Sequence, residues 1–296
     1  EACRNHSTYP VHFRLHGDEF NMAKRPPGGT DFMERSHDEN SALRKIGHKK
    51  NFDIINHDPN IGGRFSVFSL VGVLPALIAG IDVNAFREGA AATLAHIRKK
   101  RNNSAPAQGA ALKVAAAKHA TLATDILMLY SDQLFWFGQW YRQLWAESIG
   151  KDGYGATPVP FLGTVDQHSQ LQLYLDGPSD KLFSVIMHEY QDIGMLVNSS
   201  VAGDVSLGTL EQRTLGDLIK ASQRGTVDAL VAAHRPVRTI TTGELNVTSL
   251  GSLMMHFMLE TIITADLLEV DPFNQPAVEE GKKRTKHYLK NFIDKC

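Results

Sequence analysis

Apolar residues recur at helical spacing along several stretches of the chain, most plainly at Phe137, Trp140, Tyr141, Leu144 and Trp145. That pattern predicts a helix on which Trp136, Trp140, Gln143 and Glu147, at steps of four, three and four, share one stripe. Helical patterning also covers 41–50, an Ala-rich stretch at 105–130 with Lys113 and Lys118 on its polar side, 210–233, and 247–269. A last amphipathic helix is expected from about Pro276. Short apolar runs predict a strand at 52–56 and buried strands at 183–187 and 237–241.

The strand at 52–56 leads into the loop Asn60-Ile-Gly-Gly-Arg64 and then the apolar stretch 65–81. A strand, a glycine loop and a helix in that order suit an α/β unit whose ligands meet loops at strand ends. The apolar stretch contains Ser66, Ser69, Gly72, Pro75 and Gly80, so it reads as a buried core helix rather than a membrane span. Residues 1–29 keep no period and finish in Pro26-Pro-Gly-Gly29, which predicts an irregular arm. There is no internal repeat. The composite is an α/β chain in three layers, with a mostly parallel sheet between helices.

Composition narrows the function classes. A chain of 296 residues buries a sizeable core, as one large or two ordinary domains. Lys and Arg total 31 against 32 Asp and Glu, a balance that argues against a nucleic-acid-binding or acidic-membrane surface but permits a local phosphate pocket. Cys3 and Cys296 have no ligand or redox spacing, so no disulfide framework is expected and a cytoplasmic location is. The histidines and acids make no compact ligand pattern, and neither a metal nor another cofactor is expected. The chain opens without a methionine, so a start missing through processing or fragmentation is expected.

Four groups of residues suggest chemistry. Glu147 shares its stripe with two indoles, and a carboxylate in apolar surroundings is a candidate general base; the ordinary alternative is an edge-of-core Glu paired to a cation. Gly62 and Gly63 allow a sharp turn and close approach to a ligand, with Arg64 at a helix mouth, though this tripeptide alone is a weak motif. Thr164 and Gln167 spell a capping box that puts His168 in the first turn of a helix, where the positive helix end keeps an imidazole neutral; otherwise His168 simply packs locally. Pro276 suits a first helical position, which makes Gln275 the N-cap and places Lys282 two turns further in, on the face of Gln275 and Val278. Alternatively Lys282 is one of several solvated cations, beside Lys283, Arg284 and Lys286.

In their order and spacing, the segments 57–66, 140–151, 163–177 and 271–282 resemble the phosphoglucose isomerases, which interconvert glucose 6-phosphate and fructose 6-phosphate. The resemblance runs from about Thr30 to about Lys290. It implies sugar-isomerase-type, flavodoxin-like domains: the remainder of a first domain at 30–100, a second at 101–270, and a C-terminal active-site helix at 271–296. By resemblance, Glu147 moves a proton between C2 and C1 through a cis-enediol, and Arg64, with Gly63 beside it, stabilises the enediolate. Gln143 and Gln275 contact the substrate, and His168 and Lys282 assist ring opening. In the family that histidine comes from the neighbouring subunit, which implies a homodimer. Asn274 departs from the aspartate more usual in its motif. The family's phosphate cradle, a strand-to-helix turn and a Ser/Thr-rich loop upstream of Gly-Gly-Arg, has no match, so the first domain is expected to be incomplete. Two readings follow: an isomerase acting on a sugar phosphate, with no nucleic-acid or membrane partner, or an impaired remnant that binds sugar phosphates.

Overall fold

The computed structural model describes residues 13–15, 18–20, 32–34, 41–118, 122–190, 193–198 and 208–293. The chain divides into two compact units, Glu1–Ile81 and Asp82–Cys296. In the first, β1 (Phe13–Leu15) pairs antiparallel with β2 (Asp18–Phe20). That pair falls inside the expected irregular arm; the remainder of 1–29, like Cys3 and Cys296, lies outside the described residues. Next, β3 (Phe32–Glu34) pairs parallel with β4 (Asp53–Ile55), and α1 (Ala42–Lys49) lies between them in sequence. Ser41 caps α1, its hydroxyl accepting the Arg44 N–H at 3.2 Å.

The apolar stretch 65–81 is not the buried helix expected. It forms a 3₁₀ turn, Gly63–Phe68, and a separate helix α2 (Leu70–Ile78). Ser69 divides them: its hydroxyl donates to Ser66 O at 2.7 Å and accepts the Val71 N–H at 3.4 Å. No residue of α2 is buried, and Leu77 and Ile78 are 53% and 64% exposed. Among the described residues of this unit, the sheet pairs have two strands each.

The second unit runs α3 (Val83–Lys100), α4 (Ala105–Lys118), β5 (Thr124–Leu129), α5 (Phe135–Ile149), β6 (Thr157–Leu162), α6 (Val165–Asp176), β7 (Lys181–His188), α7 (Leu215–Ala232), β8 (Val237–Gly243), α8 (Val247–Leu267) and α9 (Val278–Ile293). Its four described strands are all parallel in the order β6-β5-β7-β8. Ile126, Met128, Phe183 and Val185 pack with Tyr174 of α6 and Leu230 of α7 on one face. The alternate positions Asp125, Ser184 and Arg238 meet α4, α5 and α8 on the other. This is a three-layer α/β fold with the parallel sheet in the middle. Within the upper helical layer, Phe257 of α8 packs edge-on against Phe137 and Tyr141 of α5, with centroids 5.6 and 4.9 Å apart.

Here too the expectations need correcting. The helix read over 105–130 ends at Lys118, and its apolar tail is the central strand β5. A short apolar run has no period by which to tell a buried strand from a helix. Lys113 is not on a polar side; it is buried. Strand β6 has no strand signature in the sequence, because Pro158 and Pro160 interrupt it, which an edge strand tolerates. Helix α8 is long and apolar enough by length and composition to cross a membrane, yet it is a core helix packed on α3, α4 and α5. Glycines bring α3 and α8 together: a Cβ on Gly89 would overlap Thr248 O, and one on Gly251 would overlap Phe86 O.

Candidate active site

Helix α5 buries Phe137, Tyr141, Leu144, Trp145, Ser148 and Ile149, so Gln143 and Glu147 fall on its outer flank. There the Gln143 amide donates to Glu147 Oε1 at 3.1 Å. The stripe expected to bury the carboxylate is a rim instead. Trp136 is 77% exposed, and Trp140 and Glu147 are half-buried. The last turn of α5 is closed by Lys151, whose ammonium donates to the carbonyls of Glu147 and Ser148, both at 2.9 Å. Its third bond, 2.6 Å to Asp271 O, ties this end of α5 to the segment carrying Gln275 and Lys282.

That segment starts later than its proline suggested. Asp271 Oδ1 accepts the Phe273 N–H at 2.8 Å, and Gln275 to Ala277 make a turn before α9 opens at Val278. Gln275 therefore is not the residue capping a helix that begins at Pro276, and Lys282 sits one turn into α9 rather than two. Its ammonium bonds Glu279 Oε1 at 2.7 Å in a pair that is open to solvent.

The capping box at His168 does not form. Thr164 has φ 61°, a left-handed conformation, and its side chain caps nothing. A capping hydroxyl needs extended backbone to reach the first-turn amides. Gln167 turns away to accept the Tyr130 hydroxyl at 3.0 Å, and Asp166 Oδ2 accepts the Leu162 N–H at 2.7 Å. His168 keeps its first-turn place, its N–H donating to Thr164 O at 3.1 Å, and its side chain is exposed.

Glu147 and His168 are not brought together within one chain. Glu147 lies on α5 near Ala156, the residue that precedes β6, where Trp145 Nε1 donates to the Ala156 carbonyl at 3.1 Å. His168 follows the end of β6, on α6 and the opposite face of the sheet. Arg64 belongs to the first unit. It is buried at 3% exposure, stacked 5.4 Å from the Phe65 ring centroid, in a turn held by Ser66 Oγ donating to Gly63 O at 2.7 Å. A Cβ on Gly63 would meet nothing within 4 Å, so its backbone is open to approach. Among the described residues no three His, Cys, Asp or Glu side chains converge as a metal would need.

Residues 38–295 match the family model of phosphoglucose isomerase. The chain belongs to the phosphoglucose isomerase family. Among its relatives, glucose-6-phosphate isomerase of Rubrobacter xylanophilus is 37% identical over 249 residues, covering 83% of this chain and 57% of the relative. Glucose-6-phosphate isomerase of Thermus thermophilus is 34% identical, over 83% of this chain and 60% of the relative. In structure, a hypothetical protein of Thermus thermophilus superposes with a TM-score of 0.77 at 32% identity, over 84% of this chain and 60% of that one. A glucose-6-phosphate isomerase of Chlamydia trachomatis shares the fold at TM-score 0.62 and 22% identity. This chain thus spans somewhat over half the length of the curated relatives it matches.

Beneath α5 the chain carries a buried ionic network that sequence reading missed. Lys113 of α4 pairs with Asp125 of β5, and its ammonium lies 3.2 Å from the Tyr141 hydroxyl, which itself donates to Asp125 Oδ2. The same ammonium stands 4.8 Å from the Trp145 ring centroid. Next to it, Arg238 holds Glu260 through two bonds of 2.8 and 2.7 Å and donates to Ser184 Oγ at 2.7 Å, and His256 Nε2 lies 3.2 Å from Glu260 Oε2. Burial pushes the Lys113 ammonium down, against the pull of Asp125. It pushes the Tyr141 hydroxyl well up, and Asp125 adds to that. Burial would raise the Glu260 carboxyl, but Arg238 and His256 hold it well below the carboxylate range. The available signal was a charge at each core-facing position: Lys113 within an Ala-rich helix, and Glu260 within an apolar one.

Proposed function

We propose that this chain is a glucose-6-phosphate isomerase in its chemistry, interconverting glucose 6-phosphate and fructose 6-phosphate without a cofactor, in the cytoplasm. The observation that carries the reading is the Gln143–Glu147 hydrogen bond at an accessible helix end, with Lys151 holding the Gln275 and Lys282 segment beside it. Glu147 takes the C2 proton of the open-chain aldose and returns it to C1. Arg64 supplies fixed positive charge to the enediolate oxygen, an interaction that strengthens as charge develops in the transition state. Gln143 and Gln275, with the open backbone at Gly63, orient the sugar. His168, supplied by a second copy, and Lys282 exchange the protons needed to open the ring. Lys282 leaves its solvated Glu279 partner for the substrate at little cost, since an ion pair open to water and salt is weak.

A second reading is favoured by one observation, that the chain spans 54% to 60% of the curated relatives it matches. On that reading it binds sugar phosphates without turnover. A coupled assay separates the two: the purified chain is given fructose 6-phosphate, and glucose 6-phosphate formation is followed with Glu147→Gln as the blank. Turnover that disappears in the variant supports the isomerase. A folded chain that binds the sugar phosphate but converts none supports the binding module.

A further inference from the structure

The two faces of α5 do different things. Tyr141 and Trp145 are four residues apart on the inner face, and Gln143 and Glu147 are four apart on the outer one. At about 100° per residue the two pairs lie roughly 200° from each other around the helix. The inner pair is gripped by one group, the Lys113 ammonium. It pairs with Asp125, lies 3.2 Å from the Tyr141 hydroxyl, and stands 4.8 Å from the Trp145 ring centroid. Tyr141 closes the triangle by donating to Asp125. All of these side chains are at most 3% exposed.

We propose that Lys113 is a positioning residue for Glu147: it sets the rotation and height of α5, and so where the Gln143–Glu147 pair stands. This rests on reading Glu147 as the base. The packing of the helix layer does not by itself require a charge here. A hydrophobic contact tolerates rotation of a helix by a few degrees, because many rotamers fill the same space at similar energy. A hydrogen bond to a hydroxyl at one turn and a cation over an indole at the next tolerate far less, since both depend on direction. They fix two points one turn apart, which is enough to define rotation and axial position. Lys151 then holds the far end of the same helix from outside, through the Glu147, Ser148 and Asp271 carbonyls. Glu147 thus sits between an inner anchor and an outer clamp. Lys113 touches no substrate and works through Tyr141 and Trp145.

The test uses the full chain in two variants. Tyr141→Phe keeps the ring and removes the directional bond. The double variant Lys113→Met with Asp125→Leu removes both charges while filling the space, which avoids leaving one of them buried and alone. Two readouts are taken on each: hydrogen exchange of the α5 amides relative to those of α8, and kcat and KM with fructose 6-phosphate. Expected are exchange in α5 faster by about tenfold with α8 unchanged, and kcat lower by about 10- to 100-fold with KM within about threefold. An unchanged kcat in an active chain overturns the proposal, as does exchange that rises equally in both helices. If the unaltered chain shows no turnover, that counts against the isomerase reading alone, and the exchange comparison decides the anchor. If the double variant does not fold, Tyr141→Phe decides it.

Discussion

Glu147 and His168 stand on opposite faces of one parallel sheet and at opposite ends of strand β6. Glu147 is on α5 beside the residue that precedes the strand, and His168 is on α6, which follows it. At about 3.3 Å per residue, β6 alone separates their levels by on the order of 15–20 Å. A hexose phosphate cannot touch both within one chain. If both act on the same sugar, they come from two copies.

That arrangement predicts complementation. Glu147→Gln and His168→Ala chains, each nearly inactive alone, should recover activity when unfolded and refolded together. Random pairing makes half the dimers mixed, and each mixed dimer has one intact site in two, so about a quarter of the unaltered activity is expected. No recovery, despite mixed dimers seen by mass spectrometry, would show that the two residues do not share a site in this way.

The Arg238–Glu260 pair should show strong coupling. Glu260 is fully buried, and Arg238 grips it with both arms. Glu260→Gln leaves a guanidinium inside the core without its counter-charge, at a cost of about 3–5 kcal/mol. Arg238→Met combined with Glu260→Leu should recover most of that loss. Urea unfolding of the single and double variants measures the difference.

Stability should fall in mild acid because of His188. Burial lowers its pKa to about 4, and among the described residues its Nε2 has no hydrogen-bond partner. Its folded pKa lies below the unfolded value of about 6.5, so between those two values the unfolded chain binds a proton that the folded chain refuses. Stability is therefore full above about pH 6.5 and declines as pH falls toward 4, by about 3 kcal/mol for this group. Unfolding curves taken from pH 7 to 4.5 should show the slope, and His188→Asn should flatten it. A parallel slope in the variant would assign the acid loss to other groups.

Gly251→Ala should separate two helices. The added methyl meets the Phe86 carbonyl, a backbone atom of α3 that cannot swing aside. The expected cost is about 2–3 kcal/mol. A thermal melt of Gly251→Ala beside the solvent-facing control Gly225→Ala, where a Cβ meets nothing within 4 Å, isolates the overlap.

Much of this molecule was legible in the chain. The helices carrying Glu147 and Phe257 are legible because apolar residues recur along them at helical spacing, and the strands at 183–187 and 237–241 because they are short apolar runs; the helix of His168 begins where the Thr164 motif puts it, although that capping box does not form. The apolar run of β5 is fully covered on both faces, and so carries no alternation that marks it as a strand. The Thr164 capping box had the right letters, but its backbone is left-handed, a property set by the turn that leaves β6.

The site divides along the same line. Sequence alone determined which residue types lie on one helix face, Gln143 with Glu147, because α-helical geometry converts spacing into direction without reference to anything else. It also determined the family, since four separated motifs keep their order. Tertiary structure alone decided that Lys113, Asp125 and Tyr141 meet beneath that face, that Lys151 reaches 120 residues along the chain to Asp271, and that His168 is held away from Glu147. Contacts of that kind join distant parts of the chain. They exist only once the sheet has set which helix packs on which face, and no local pattern of residues encodes them.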